Sequence, residues 1–395
     1  MSSATVMDRA RAVLLGNYKQ QPLVAVRGEG VWVYDAEGKR YLDLLGGIAT
    51  CSLGHCHPQV VAAAKKQLDT LWHLSNVFYT EPQVALAERL CRASGIAGAR
   101  AFFCNSGGEA NEALIKLTRR AQKDRGHPER FEILTFESSF HGRTLATTAA
   151  TGQPKYQKGF EPLPAGFRHV PYGDLEAVKA AVTPATAAIL VEPIQGEGGV
   201  RLAPEGFLRG LRELCDSAGL LLLIDEVQTG MGRTGHVFAY QRDGVVPDAF
   251  SLAKALGNGL PIGAMICSDA VASALPSGTH GSTFGGNPVA AAAAAAAFDI
   301  SCDPKMLVEV ARKGELALTT LREMARRKSQ IVAVRGRGLL LGIEVNVPAA
   351  EVVARARERG VLMNLAGEKT VRLAPAFIIS DQELRSGLSL LEESL

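Results

Sequence analysis

The sequence predicts an α/β fold: a three-layer α/β/α large domain around a mostly parallel sheet, with a small α+β domain beside it. Three observations carry the prediction. Strand-like and helix-like segments alternate through the middle of the chain, the order that builds a parallel sheet. The strand segments "AAILVEPI" and "LLLLIDEV" are apolar runs rather than alternating ones, as strands are when helices cover both faces. After residue 300 a long helical segment leads into a compact mixture of short strands and helices.

The elements follow in order. "GVWVYDAEGKRYLDLL" reads as two strands with Gly38 in the turn. "PQVVAAAKKQL" is a helix begun by Pro58, and "RAFFCNS" is a short strand. "GEANEALIKLTRRAQK" is a helix with Ala110, Ala113, Leu114 and Leu117 on one face. "FEILTFE" is a strand, and "PEGFLRGLRELCDSAG" a helix predicted to start at Pro204 and stop at Gly219. The alanine run 290–297 predicts a buried helix, because alanine has the best helix propensity and small side chains pack closely. "KMLVEVARKGELALTTLREMARR" is a long helix. "GLLLGIEVNV", "AAEVVARARERG", "VLMNL", "VRLAPAF" and "DQELRSGLSLLEE" complete the tail, against which the N-terminal arm packs. The division expected is residues 1–65 as the arm and part of the small domain, 66–300 as the large domain and 301–395 as the C-terminal small domain.

Composition narrows the function classes. The 395 residues are 47% hydrophobic, enough for a large core. Lys and Arg number 43 against 40 Asp and Glu, a balance that gives no reason to expect nucleic acid or a membrane surface as partner. No uncharged apolar run has membrane-spanning length, and "AVLL" near the start is too short for a signal-peptide core. A cytoplasmic enzyme is the expectation. The seven cysteines are scattered, so no disulfide framework is predicted. "CSLGHCHP" holds Cys51, His55, Cys56 and His57, which are zinc-ligand types. No second ligand pair follows at zinc spacing, so the segment reads as a tight turn and no metal is expected.

Ligands of such sheets sit beyond the carboxyl ends of the strands, so the polar residues closing the strands are the candidates. "CNSGGEANEA" places Ser106, Gly107 and Gly108 between a strand and a helix, where helix-start N–H groups suit a phosphate. Ser106 and Glu109 also have capping-box spacing, the purely structural alternative. Asp225 ends an apolar strand, with Glu226 after it. Lys254 lies in "FSLAKALGNGLP", between small residues and ahead of Gly257 and Gly259, a setting foreign to a solvated lysine. A phosphate cup, a buried amine and a strand-end acid together match one cofactor, pyridoxal phosphate. It needs a lysine for its Schiff base and an acid against its pyridine nitrogen. "SSFHGRTLAT" adds Phe140 for a flat ring and Arg143 for a carboxylate. "VEPIQGEGGV" adds Glu192 and Glu197, "THGSTFGGNP" adds Ser282 and Thr283, and Arg372 in "VRLAP" has apolar flanks that demand a partner.

Over nearly its whole length the chain resembles the class III, fold type I aminotransferases. The landmarks are "GEGVWVYDAEGKRYLDLLGGIATCSLGHCHP", "HLSNVFY", "NSGGEANEA", "FHGRT", "EPIQGEGGV", "DEVQTGMGRTG", "SLAKALGNGLPIGAM", "GSTFGGNP" and "RLAP". The stretch from "LGGIATCSLGHCHP" to "HLSNVFY", together with "FHGRT", points within the family to the acetylornithine branch. The resemblance implies Lys254 as the Schiff-base lysine and Asp225 on the pyridine nitrogen. It implies Val227 and Phe140 on the two ring faces, Gln228 at the ring hydroxyl, and Ser106, Gly107 and Gly108 around the phosphate. Thr283 is implied to reach the phosphate of a neighbouring subunit, with Ser282 beside the substrate, hence a homodimer. Arg143 is implied to hold acetylornithine and the side-chain carboxylate of glutamate or 2-oxoglutarate. Arg372 is implied to hold the α-carboxylate, and Glu197 to cover Arg372 when a terminal amine reacts. Gly108, Ala255, Asn258 and Ala376 depart from common family residues. Succinylornithine, succinyldiaminopimelate, ornithine and 4-aminobutyrate are the alternative amino donors. A catalytically idle regulator and a decarboxylase or racemase are the alternatives of other classes.

Overall fold

The computed structural model describes residues 3–395. A seven-stranded sheet forms its centre, in the order Arg100–Cys104, Gly263–Cys267, Ala249–Leu252, Leu221–Asp225, Thr186–Val191, Glu132–Phe136, Phe167–Val170. Only Gly263–Cys267 runs against its neighbours. The apolar runs have the predicted cause. Ile189, Val191, Leu222 and Ile224 pack to one face, while Ala188, Leu190, Leu221 and Leu223 pack to the other. The helix Gly107–Asp124 covers the second face through Ala113, Leu114 and Leu117. Phe207–Ala218, Glu81–Ser94 and Pro288–Ser301 contribute to the first. Each fully buried leucine in these layers contributes about 1.5–3 kcal/mol. This is why the sheet is rigid enough to present its strand ends at fixed positions.

A separate hydrophobic cluster joins the two ends of the chain: Leu42 and Leu44 pack with Leu341, Leu373 and Leu388. The strands Ile331–Arg337, Leu340–Val345, Thr370–Leu373 and Asn364–Ala366 make an antiparallel sheet. "VLMNL" does not form one strand. Val361–Leu362 pairs in parallel with Arg40–Asp43, whereas Asn364–Ala366 joins the other sheet. Met363 between them is buried at the changeover.

Two helix boundaries differ from expectation. The helix predicted from Pro204 begins at Phe207, because Gly206 takes the left-handed region at φ 80° and separates the proline turn from the helix. At Gly107–Asp124 only half of the capping box forms. The Ser106 hydroxyl accepts from the Glu109 N–H at 3.2 Å, but the Glu109 carboxylate turns to the Asn105 N–H instead. The alanine helix spans Pro288–Ser301 and buries Ala290, Ala291, Ala293, Ala294 and Ala297. "CSLGHCHP" is a turn in which His55 meets Asp43 at 2.8 Å. Among the described residues no group of three or more His, Cys, Asp or Glu is placed to hold a metal, and no helix is long and apolar enough to cross a membrane.

Candidate active site

A cavity of about 570 Å³ opens at the carboxyl ends of the parallel strands. Ser106, Gly107, Gly108, Phe140, Arg143, Asp225, Val227, Gln228 and Lys254 line it, so nine predicted residues meet in one place. Each arrives by the same local rule: a parallel strand ends, and the next few residues face the crevice.

Lys254 follows the strand Ala249–Leu252 and opens a single 3₁₀ turn. Its φ of 46° is left-handed, a strained conformation for a residue with a side chain, and such strain concentrates at functional sites. Burial lowers the pKa of its ammonium and Arg372 adds to the shift, against the opposing charges of Glu197, Asp225 and Glu192. The site therefore favours a neutral amine more than water does.

Asp225 is 4% exposed. Its Oδ2 accepts from Asn111 Nδ2 at 2.7 Å and from His141 Nδ1 at 2.8 Å, and its Oδ1 accepts from the Val227 N–H at 3.0 Å. Sequence reasoning missed Asn111 and His141. The first had a legible signal, since a polar residue three before Leu114 lies on the apolar face of its helix. The second did not: nothing in "FHGRT" tells which of its side chains turns inward. Glu226, the adjacent acid, faces away from the cavity. It accepts from Thr229 Oγ1 and from the Tyr240 N–H, and burial raises its pKa to about 7.

The phosphate-like corner is built from the start of an 18-residue helix. Gly107 and Gly108 are its first two residues, whose N–H groups have no acceptor within the helix. A Cβ on Gly107 would lie 2.8 Å from Val227 Cγ1, whereas one on Gly108 meets nothing closer than 3.8 Å. The departure at Gly108 therefore opens no conflict in this fold, and Gly107 is the glycine that packing requires. Asn258 takes φ 45° and its side-chain oxygen accepts from the Leu53 N–H at 2.8 Å, which accounts for asparagine where glycine is common.

Arg372 and Glu197 lie just beyond the cavity and meet each other. Arg372 Nη1 is 2.5 Å from Glu197 Oε1 and 2.9 Å from Gln228 Oε1, and Nε donates to Asn364 Oδ1 at 3.2 Å. The arginine is completely buried, and among the described residues its Nη2 has no hydrogen-bond partner. Burial pushes the Glu197 pKa up, but the charges of Arg372 and Lys254 outweigh it and hold the group below the usual carboxylate range. Gln228 is thus engaged with Arg372 as well as lining the cavity. Arg143 is exposed, and its guanidinium stands 4.0 Å from the centre of the Tyr156 ring and 5.4 Å from that of Phe140. Tyr156 was not anticipated from the sequence.

Ser282 and Thr283 do not reach this cavity within the chain. They line a neighbouring recess of about 330 Å³ that shares Asn105 with it, and Ser282 Oγ accepts from Asn105 Nδ2 at 3.2 Å.

The residues present fit pyridoxal phosphate. Free helix-start N–H groups face the cavity, a buried carboxylate is held by three donors, and a desolvated amine stands among them. The other ring nitrogen of His141, Nε2, is buried with no partner among the described residues, as is the Asn111 Oδ1.

The sequence matches the aminotransferase class-III family over residues 15–395. It is 63% identical to the acetylornithine aminotransferase of Myxococcus xanthus over 385 residues, covering 97% of this chain and 96% of that one. The structure resembles the ornithine aminotransferase of Toxoplasma gondii ME49 with a TM-score of 0.96 at 33% identity, covering 100% of this chain and 95% of the other. It resembles the N-acetylornithine aminotransferase of Stenotrophomonas maltophilia K279a with a TM-score of 0.85 at 38% identity, covering 98% of each. By the family match over residues 15–395 and the 63% identity over nearly the whole chain, the chain belongs to the class-III aminotransferases.

Proposed function

We propose that the chain transfers the terminal amino group of N2-acetyl-L-ornithine to 2-oxoglutarate, giving N-acetyl-L-glutamate 5-semialdehyde and L-glutamate, in the arginine-forming direction. The observation that carries this reading is the closed Glu197–Arg372 pair beside an uncovered Arg143. With Arg372 neutralised, one guanidinium is free. That suits a substrate with one carboxylate and a distant amine. Glutamate carries two carboxylates and reacts at its α-amine, so it needs Arg372 uncovered. The 63% identity to a protein named for acetylornithine supports the same substrate, and it outweighs the 33% identity to an ornithine enzyme.

Bound pyridoxal phosphate supplies an electron sink conjugated to the substrate amine. Lys254, whose ammonium is destabilised by burial, would hold the cofactor through its amine and would serve as the group that moves a proton at the reacting substrate carbon. Asp225, held by Asn111, His141 and the Val227 N–H, keeps a proton on the pyridine nitrogen. Ser106, Gly107 and Gly108 bind the phosphate, and Phe140 and Val227 confine the ring. Ser282 and Thr283 serve the site of a second copy in a homodimer, and the enzyme works in the cytoplasm.

The test is a two-substrate assay with purified holoenzyme, 2-oxoglutarate and each amine in turn. Acetylornithine should yield glutamate stoichiometrically and faster than succinylornithine, succinyldiaminopimelate, ornithine or 4-aminobutyrate. Preference for another amine sinks the substrate assignment. Release of carbon dioxide, or racemisation without glutamate, sinks the reaction type.

A further inference from the structure

Glu192 follows the strand Thr186–Val191, is 6% exposed and lines the Lys254 cavity. Its two carboxylate oxygens are taken by backbone N–H groups rather than by a cation. Phe140 donates to Oε2 at 3.1 Å and Gly196 donates to Oε1 at 3.3 Å. The two donors belong to different loops. Phe140 begins the segment that ends in Arg143, and Gly196 immediately precedes Glu197.

The connection continues to Arg372. A Cβ on Gly196 would lie 2.2 Å from Gln228 Oε1, so the glycine backbone is pressed against that amide. The same oxygen accepts from Arg372 at 2.9 Å. Behind Glu192, the single proton of the Tyr172 hydroxyl is shared between the carbonyls of Glu192 and Pro193, 2.9 and 3.0 Å away, and fixes the backbone that carries the carboxylate. Gln195 adds a parallel tie between the loops, donating to the Glu137 carbonyl at 2.9 Å. A buried acid near Asp225 is costly, and what it does in this fold is span two loops.

We propose that Glu192 is a positioning residue that holds the Phe140–Arg143 segment and the Glu197 segment in register, so that Arg143 and Arg372 are spaced for a substrate with two carboxylates. The inference rests on the two-arginine reading above. Glutamate and 2-oxoglutarate bind through both arginines, so an error in spacing falls on them. Acetylornithine binds through Arg143 alone and tolerates it.

Glu192→Gln keeps the shape but replaces one acceptor oxygen with an amide donor, which meets a backbone N–H donor to donor. Holoenzymes of both forms are compared in separate half-reactions. The KM for 2-oxoglutarate should rise about tenfold or more, as expected for a displaced substrate anchor. The KM for acetylornithine should change by less than about threefold, within the effect of one neutral hydrogen bond. The cofactor absorbance band and the melting temperature report a general structural loss. An equal KM rise for both substrates, or none for 2-oxoglutarate, overturns the proposal. The wild-type control keeps the two readings apart: failure of the wild type to use acetylornithine sinks the functional reading, whereas unselective change in the variant sinks the role of Glu192. Should the variant not fold, residue-resolved hydrogen exchange on the unmodified holoenzyme decides. The Phe140 and Gly196 amides should be protected to a similar degree, and a Gly196 amide exchanging like an unbonded loop amide overturns the proposal.

Discussion

Arg372 and Arg143 flank one cavity, yet Arg372 is completely buried against Glu197 while Arg143 is exposed and, among the described residues, pairs with no carboxylate. The contrast follows from where each sits. Arg372 lies in a strand whose four residues are all buried, and a guanidinium there must be matched by acceptors. Arg143 stands in a loop, where water solvates the charge and the Tyr156 face holds its direction. A buried, paired arginine meets an anion only after its partner leaves. An exposed arginine is available at all times. In the function proposed above, one site thus combines a constant anchor with a conditional one.

The largest effect should come from removing the constant anchor. If Arg143 holds the substrate carboxylate as proposed, Arg143→Ala deletes up to two charged hydrogen bonds, each worth about 1.5–3 kcal/mol. The kcat/KM should fall roughly 10²- to 10⁴-fold for acetylornithine and for glutamate alike. A loss confined to one substrate breaks the assignment of Arg143 as the shared anchor.

Arg372→Ala should be as severe for glutamate and 2-oxoglutarate but nearly silent for acetylornithine. Single-turnover rates for each half-reaction read the split directly. Equal slowing of both halves makes Arg372 a structural residue, and a selective loss of the acetylornithine half exchanges the two roles.

Glu197→Ala should act in the opposite sense. Arg372 becomes permanently available, so reaction at α-amines rises relative to terminal amines. The shift should be about tenfold or less, since the Glu197 side chain is 21% exposed and the buried guanidinium keeps Gln228 and Asn364. The pH dependence of stability sharpens this. The folded-state pKa of Glu197 lies below its ordinary 4.5. Its contribution to stability is therefore complete above that ordinary value and is lost as the pH falls through the lowered one. Urea midpoints of wild type and Glu197→Ala should differ near neutrality and converge in acid. A difference that persists in acid means that the carboxylate charge is not what stabilises the pair.

The smallest effect belongs to Tyr156. Tyr156→Leu removes a cation–π contact of about 0.5–1 kcal/mol at an exposed site. Substrate KM values should rise two- to fivefold, about what that energy gives, for both substrates and with little change in kcat. A kcat loss above tenfold would assign Tyr156 to the chemistry rather than to Arg143.

Much of the site was legible because its residues sit where local sequence fixes the backbone. Asp225 could be placed at a strand end because an apolar run stops there. Lys254 could be singled out because its neighbours are small and apolar. Gly107 could be aligned with a helix start because a strand precedes it and an amphipathic helix follows. The misses share a different character. His141 and Asn111 come from a loop and a helix to grip one oxygen of Asp225, and their distance from it along the chain is 84 and 114 residues. Glu192 was visible as a strand-end acid, but one of its two acceptors serves the Phe140 N–H, 52 residues away, which only chain folding brings near. "VLMNL" looked like one strand because its pattern is continuous, and it divides because two different sheets compete for its two halves.

The sequence by itself therefore determined the layered α/β plan, the strand ends and many of the residues that line the cavity, since periodicity, propensity and glycine placement act over a few residues. Tertiary structure alone decided which charges are covered. Whether Arg372 is free or paired, whether Lys254 is a cation or a neutral amine, and whether Glu192 spans two loops all depend on solvent exclusion and on partners far away in the chain. Electrostatic free energy inside a protein is set by the surroundings of a charge rather than by its neighbours in sequence.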